Sequence, residues 1–316
     1  MLCTKAFSTF ARLYKIRNIF IGCFLFLSVL AFSQSRARLR YEILGGVGPT
    51  NFLGELGGAN TVGTHLIRDF DLNATRFCLN GGLRYKNNPY FGFKGMLTFA
   101  MLSGNDALTE ETYRHNRNLS FRSPVVELTG QVEYYFLREK SKNLYKISGI
   151  NKKKKNKNLT SYLFTGFGVF FYSPHAKYNG TWYNLRNLHT EGQGLPGGPK
   201  QYSNFNVCIP IGVGVRYSLN KKWSVGAELS FRKTFTDYLD DVSGKYYDKA
   251  KLASAYGPVS AALADPSLGD IKGATLPNGD GSGAQRGDTR YKDAYMLFTI
   301  NVGYKFTQRG RTRAKF

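Results

Sequence analysis

Four histidines and one aspartate are the side chains of this 316-residue sequence most suited to acid–base or nucleophilic chemistry. His65, His115, His175 and His189 each fall in a stretch with the composition of a surface loop. His175 or His189 could act with Asp237, but the spacing favours this no more than two solvated loop histidines. None of them has the i, i+4 spacing of a zinc protease helix. We therefore expect that the protein is not an enzyme.

Two glycine-rich stretches, 192–198 and 279–283, lack the features of a phosphate-binding loop. Neither ends in Lys-Ser/Thr, and neither lies between a strand and a helix. The second contains Asp280 but too few acidic oxygens for a calcium site. We interpret both as tips of exposed loops, and we expect no cofactor, no metal and no small-molecule substrate.

The formal net charge is +23, and the basic residues are clustered. One cluster lies in the first 17 residues, a second runs from Arg138 to Lys157, and a third from Lys305 to Lys315. Such clusters are usual in solvated linkers and tails. Since no nucleic-acid-binding motif accompanies them, we expect no nucleic-acid partner.

The first 33 residues predict a secretory signal peptide. A basic start is followed by about 14 apolar residues, 19–32, which is short for a membrane-spanning helix. Ala31 and Ser33 supply small residues for cleavage between Ser33 and Gln34. The alternative is an uncleaved inner-membrane anchor. The sequence favours export with cleavage of the signal peptide.

Beyond residue 33, alternation of apolar and polar residues recurs in segments of about ten residues. In the clearest segment, Val126, Leu128 and Val132 share one face, and Glu127 and Gln131 share the other. The segments are about 38–48, 75–85, 90–101, 126–136, 160–172, 207–217, 224–232 and 296–306. This pattern predicts an all-β fold, an eight-stranded antiparallel transmembrane β-barrel with long extracellular loops, in the cell outer membrane and in contact with its lipid.

The connections alternate in length, as this topology requires. The long connections, expected outside the cell, are 49–74, 103–120, 173–203 and 233–293. Two periplasmic turns are short, 86–89 and 219–222, whereas the third periplasmic connection is a basic insert, 138–159. The predicted organisation is a signal peptide (1–33), a barrel (34–308) and a basic C-terminal tail (309–316).

Polar residues on the inward face should fill the barrel, because eight strands enclose only enough space for their own side chains. We expect the acids and bases among them to pair. The alternative is a charged translocation path. The inward residues include Arg40, Glu42, Arg76, Asn80, Arg84, Lys94, Glu127, Gln131, Glu133, Arg216, Glu228 and Arg232. Cys78 and Cys208 should also face inward, on opposite walls, as free thiols.

Two stretches carry a resemblance to a known family. One runs from Tyr41 to Gly58, and the other from Arg117 to Leu128, preceded by Ser103-Gly104-Asn105-Asp106. Together they resemble the PorG-like outer-membrane barrels of the type IX secretion system. The residues at the positions of this pattern are Glu42, Gly54, Glu55, Arg117, Asn118, Phe121 and Glu127. The chain departs from the pattern in having Glu55 where the family has Asp, the insert at 152–157 and the long loop from about 240 to 290.

The resemblance implies an eight-stranded barrel whose periplasmic side meets a ring built by a lipoprotein and a soluble partner. That ring belongs to the machine that exports proteins with a C-terminal sorting domain. Dense positive charge would speed association with an acidic partner, although a merely solvated insert is the alternative. The expected partner-binding residues are Arg138, Lys140, Lys142, Lys152, Lys153, Lys154, Lys155, Arg309, Arg311 and Arg313.

A second hypothesis comes from a different functional class. The long outer loops carry aromatic residues of the kind that contact glycans and proteins. They are Trp182, Tyr183, Tyr246, Tyr247 and Tyr256. The chain would then be a surface-exposed barrel that binds a glycan or protein ligand.

Overall fold

The computed structural model describes residues 41–54, 56, 74–109, 112–137, 158–269 and 283–306. Within these ranges no helix combines the length and apolar composition needed to cross a bilayer. The predicted signal peptide, the basic insert at 138–157, the glycine-rich stretch at 279–282 and the C-terminal tail lie outside the described residues, as do Arg40, Glu55 and His65.

Eight antiparallel strands form a closed wall, which confirms the predicted barrel. Each strand pairs with the next along the chain, and the last pairs with the first, so the sheet has no free edge. They are β1 (Tyr41–Leu53), β2 (Arg76–Lys86), β3 (Phe91–Asn105), β4 (Ser120–Leu137), β5 (Leu159–Tyr172), β8 (Phe205–Ser218), β9 (Trp223–Thr234) and β10 (Ala294–Lys305). Closure satisfies the backbone hydrogen bonds of every strand without help from water.

Residues alternate strictly between the two faces of the wall. Along β4, Leu128 and Val132 are exposed on the outside, and Glu127, Gln131 and Glu133 are buried inside. This is the reverse of a soluble sandwich, which turns its apolar face into a core. The outside of this wall is therefore suited to lipid and the inside to polar side chains.

The connection predicted at 103–120 is shorter than expected, because β3 and β4 extend into it from either side. β3 continues to Asn105 and β4 begins at Ser120, pairing Asn105 with Ser120. Asn105 ends the strand by accepting a hydrogen bond from the Ala107 backbone amide, which starts a 3-10 turn at Asp106–Leu108. Helix α1 (Thr112–Arg117) completes the connection.

The other two long connections in the described ranges are folded rather than open loops. One contains the hairpin β6 (His175–Tyr178) and β7 (Thr181–Asn184) with helix α2 (Leu185–Leu188). The other contains α3 (Lys249–Tyr256) and α4 (Pro258–Ala264). Their buried apolar side chains share one core with the barrel mouth, including Phe121, Leu185, Leu239, Val242 and Leu263. We call residues 173–204, 235–268 and 283–293 the outer cap.

A closed barrel should resist detergent until it is heated. We expect the purified chain in sodium dodecyl sulfate to migrate faster on a gel unboiled than boiled, because the hydrogen-bonded wall stays compact. A sample unfolded in urea beforehand should migrate as the boiled form does. Identical migration of all three samples would contradict a stable barrel.

Candidate functional site: the closed lumen and the outer cap

Six charged side chains meet inside the barrel near the end that carries the short turns. They form what we call the turn-side cluster: Glu42, Arg84, Lys94, Glu133, Arg216 and Glu228. Strand register brings them to one level. Glu42 is opposite Arg84 across β1 and β2, and Arg84 is opposite Lys94 across β2 and β3.

Arg84 is the centre of the turn-side cluster. Its Nε lies 2.8 Å from Glu133 Oε2, its Nη1 3.0 Å from Glu42 Oε2 and its Nη2 3.3 Å from Glu228 Oε1. Lys94 Nζ lies 2.9 Å from Glu228 Oε1. A planar guanidinium suits this position, because its donors point to several carboxylates at once.

The cluster is electrically balanced. Arg216 Nη1 lies 2.7 Å from Glu42 Oε2, so three carboxylates face three cations. None of the six residues is more than 6% exposed. Burying an unpaired charge is costly, whereas opposite charges in contact offset much of that cost. The prediction that inward acids and bases pair is confirmed.

Two tyrosines close the space around these charges. Tyr162 donates a hydrogen bond of 2.6 Å to Glu228 Oε1, and Tyr135 donates one to Glu133 Oε2. Their rings meet edge to face, with centroids 5.8 Å apart. Aromatic bodies with polar tips thus fill the lumen where the ion pairs leave room.

A narrow polar band lies above the turn-side cluster. Its cavity measures only about 10 Å³ and is bounded by Asn80, Thr98, Gln131 and Thr299, among others. Such a volume accommodates about one water molecule. At this level the lumen therefore holds no wide water-filled passage, which argues against the charged translocation path.

A second ion pair closes the lumen on the side of the outer cap. Arg232 Nη2 lies 3.1 Å from Glu127 Oε1, and both residues are buried. Tyr295 and Cys208 also donate hydrogen bonds to Glu127. Cys78 and Cys208 are both buried and free, on strands four positions apart around the eight-stranded wall. We call Glu127 and Arg232 the cap-side pair.

Arg286 ties the segments of the outer cap together. Its Nη1 lies 3.0 Å from Glu191 Oε1 and donates to the Asp241 carbonyl, and its Nε donates to the Ala264 carbonyl. Glu191 also accepts from the backbone amides of Ser243 and Gly244. One buried guanidinium thus joins three chain segments that are distant in sequence.

Asp241 is the most perturbed acid of the outer cap. Burial raises the pKa of its carboxyl to about 6. The charge of Arg286 and hydrogen bonds from Thr190 and Tyr202 act in the opposite direction. Burial prevails because Arg286 Nη2 is 3.9 Å from Asp241 Oδ2, farther than the Glu191 contact. Burial also raises the pKa of Asp237.

The described residues of the family pattern have structural positions. Glu42 and Glu127 belong to the two lumen ion-pair sites. Arg117 Nε lies 2.7 Å from Asp106 Oδ2, and its Nη1 donates to the Arg286 carbonyl, which connects α1 to the cap. These partners explain why a charged residue is needed at each position.

The other three positions of the pattern shape the barrel mouth. Asn118 has a positive φ of 55°, which asparagine tolerates, and donates to the Pro266 carbonyl. Phe121 packs edge to face on Phe52, with centroids 4.8 Å apart. A Cβ on Gly54 would lie 2.2 Å from Phe52 Cζ, so no larger residue fits there without movement.

Most of the loop tyrosines hold the cap together instead of projecting from it. Tyr247 donates to the Pro196 carbonyl, and its ring covers Gly192, where φ is +74° and a Cβ would lie 2.4 Å from the ring. Tyr256 donates to the Gln193 carbonyl and stacks on His189. Trp182 is different, because it is 46% exposed.

The histidine–aspartate pairing considered for catalysis does not form. Asp237 Oδ2 accepts a hydrogen bond from Ser243 Oγ, and His175 Nδ1 lies 2.8 Å from the Ser173 carbonyl. His189 Nδ1 lies 3.1 Å from the Asn187 carbonyl. In the described ranges no group of three or more His, Cys, Asp and Glu side chains is arranged to hold a metal.

The expected partner-binding residues lie outside the described residues. They are Arg138, Lys140, Lys142, Lys152, Lys153, Lys154, Lys155, Arg309, Arg311 and Arg313. The buried charged residues that sequence analysis missed are in the outer cap. Arg286, Glu191 and Asp241 fall in stretches whose composition indicates only loop, and no local pattern distinguishes them from solvated residues.

Removing one member of the cap-side pair should destabilise the barrel. Arg232→Met leaves the Glu127 carboxylate buried without its cation, which we expect to lower the free energy of unfolding by about 3–5 kcal/mol. Urea unfolding in detergent micelles, followed by tryptophan fluorescence, measures this. The double variant Glu127→Gln/Arg232→Met should recover much of the loss, because no lone charge remains. The exposed control Lys222→Met should change stability by less than about 0.5 kcal/mol. An unchanged single variant would contradict a structural role for the pair.

Comparisons with known proteins give one family and several barrels. Structures similar to this chain include Ail, the attachment invasion locus protein of Yersinia pestis, with a heparin analogue (10% identity, TM-score 0.36, 85% of this chain and 100% of Ail). The N-terminal barrel of Pseudomonas aeruginosa OprF is 8% identical, with a TM-score of 0.33, over 85% of this chain and 100% of the OprF chain. Neisserial surface protein A is 9% identical, with a TM-score of 0.33, over 84% of this chain and 96% of its own. No curated protein matches. The model of the family described as "Domain of unknown function (DUF6089)" matches residues 18–257, more than half of the chain, so the chain belongs to the DUF6089 family.

Proposed function

We propose that this chain is a non-enzymatic outer-membrane barrel of the type IX protein secretion system, which anchors a periplasmic ring complex. The sealed, charge-balanced lumen carries the proposal. Because the described lumen is filled by its own side chains, transport through it is disfavoured. The protein then acts through the surfaces at its two ends.

The outside of the wall supports a place in a membrane. Its exposed side chains are mainly apolar, and exposed aromatic residues lie near both ends of the strands, as Phe205 and Tyr217 do on β8. The 12 residue steps from Phe205 to Tyr217 (217 − 205), on a strand tilted by about 40°, span about 30 Å along the barrel axis. This is close to the thickness of a bilayer core.

The distribution of connections supports an orientation. Short turns follow β2 and β8, and the strand ends that flank the basic insert, Leu137 of β4 and Leu159 of β5, lie at that same end. The outer cap lies at the opposite end. Since outer-membrane barrels turn their short connections to the periplasm, the basic insert would face the periplasm and the cap would face outward. Export through a cleaved signal peptide is part of the same proposal.

The identity of the partner rests on the resemblance at Tyr41–Gly58 and Arg117–Leu128 and on charge. A dense run such as Lys152–Lys155 would attract an acidic surface of a ring protein and speed association. The tail residues Arg309, Arg311 and Arg313 would add basic side chains of the same kind.

A second candidate function is favoured by one observation in the outer cap. A cavity of about 480 Å³ lies between the cap and the barrel mouth, lined in part by Asn105, Asn118, Lys177, Tyr178 and Asp240. Its volume falls in the range of ligand sites. Amide, carboxylate and aromatic groups together could contact a glycan, and Trp182 is exposed nearby on the hairpin that contributes Lys177 and Tyr178.

The sealed lumen can be tested by conductance. We expect the full barrel in planar lipid bilayers to give no stepwise ion current, because the ion pairs and tyrosines leave no continuous water path. A general porin added to the same bilayer provides the positive control. Regular single-channel steps from the purified chain, abolished by heat denaturation, would overturn the scaffold assignment.

The periplasmic contact can be tested by co-purification. Replacing Lys152–Lys155 with Gln should reduce recovery of the ring proteins from detergent-solubilised outer membrane, with the loss greatest at low salt, where charge attraction is least screened. Replacing Lys200, Lys245 and Lys251 in the outer cap with Gln is the matched control and should leave recovery unchanged. Equal recovery with both variants at low salt would reject the basic insert as the contact.

A further inference from the structure

The exposed charge of the described residues has a single sign. Every charged side chain that is exposed there is basic, whereas each described carboxylate is buried or half-buried. The exposed cations are Arg122, Lys177, Lys200, Lys221, Lys222, Lys233, Lys245, Lys251, Arg290 and Lys292. Eight of the ten lie at the cap end, since only Lys221 and Lys222 belong to a short turn.

Lys233 has an unusual place among these cations, because it points out from the barrel wall. It follows Phe231 on the outward face of β9, and the next outward residue is Phe235, which is 52% exposed. Its partners on the neighbouring strands are Ile209, which is half-buried, and Ala294, which is buried in a cluster with Leu53 and Met296. A lysine in this setting extends its apolar stem along the apolar residues of the wall and places its ammonium at a polar boundary.

The position of Lys233 along the barrel axis identifies that boundary. It lies ten residues from Trp223, which is exposed at the turn end of the same strand. Ten residues tilted by about 40° span about 25 Å, the height of the apolar band of such barrels. Lys233 therefore lies where the hydrocarbon ends and the outer headgroups begin.

Two more exposed cations belong to the segment that leads into β10, the strand paired with Lys233. Residue 294 pairs with Lys233, and the Asp293 amide still donates to the Thr236 carbonyl, so the two chains remain side by side beyond the ladder. Arg290 and Lys292 precede Asp293 in the sequence and are exposed, and the exposed ring of Tyr291 lies between them in the sequence. Lys292 Nζ donates a hydrogen bond of 3.2 Å to the Thr289 carbonyl and is 3.9 Å from Asp237 Oδ2, and its side chain is 42% exposed.

We infer that Lys233, Arg290 and Lys292 form a binding site for the phosphate groups of a phosphorylated glycolipid in the outer leaflet. The inference rests on the proposed insertion in the outer membrane. Phosphate oxygens accept strong hydrogen bonds from guanidinium and ammonium groups. Phe231, one outward position nearer the turn end, would contact the acyl chains of the same lipid below the phosphate.

A lipid fits these residues better than a soluble polyanion does. A soluble polyanion would approach the top of the cap, where Lys200, Lys245 and Lys251 are exposed. Lys233 is instead part of the lipid-facing wall, between two phenylalanines, and a ligand that reaches it must enter the bilayer boundary. The three cations together span the transition from acyl chain to headgroup.

Native mass spectrometry of the full chain in detergent micelles tests the site. The probes are bisphosphorylated lipid A and the same lipid after removal of its phosphates. We expect the wild type to bind the phosphorylated form at least about ten-fold more tightly, since each basic residue near anionic lipid contributes substantially. Lys233→Gln/Arg290→Gln/Lys292→Gln should lose that preference. Lys233→Gln alone should reduce it and serves if the triple variant does not fold.

Lys200→Gln/Lys245→Gln/Lys251→Gln is the matched control, and it should keep the wild-type preference. Equal binding of both lipids by the wild type, or an equal loss in both triple variants, would overturn the inference. So would displacement of lipid A by soluble heparin from the wild type, since it would assign the cations to a soluble polyanion. Unboiled gel migration is recorded for every sample. A chain that forms no barrel fails the proposed function itself, whereas a barrel without lipid preference fails only this inference.

Discussion

The rest of this structure depends on one constraint. Charged side chains inside the narrow barrel must be neutralised by one another, because bulk water does not reach them. Eight strands enclose too little space for bulk solvent, so each inward acid needs a cation in contact with it. Register supplies these contacts, as where Glu42, Arg84 and Lys94 lie side by side on three consecutive strands. The ion pairs also link strands that are not neighbours, since Arg84 on β2 reaches Glu228 on β9. The same side chains therefore fill the lumen, close it and brace the wall.

The outer cap repeats this solution beyond the wall, with a larger share of apolar packing. Arg286 and Glu191 neutralise each other in a setting that also buries Leu239 and Val242. A loop that buries a guanidinium and hydrophobic side chains together is held in one conformation, because opening it would expose both. The cap thus packs on the barrel mouth above the cap-side pair and shares one core with it.

Because the charges inside the barrel are paired, the outside carries an excess of positive charge. The chain has 44 basic and 21 acidic residues. Many of the described acids form buried ion pairs, such as Glu133 with Arg84 and Glu127 with Arg232. Basic residues in excess then occupy the ends of the barrel and its rim. Net charge that looked like a property of linkers and tails is therefore also a property of the folded surface.

The sequence by itself determined the wall and the nature of its two faces. Alternation of apolar and polar residues with a period of two is a local signal. The polarity of each residue indicates whether its side chain faces the lipid or the lumen. All eight strands and the inward acids were therefore predictable. Only the tertiary structure decided which acid meets which base, because register joins residues as far apart as Lys94 and Glu228. It alone also revealed the cap. Arg286, Glu191 and Asp241 come together from separate loops, and contacts between distant segments leave no periodic trace in the chain.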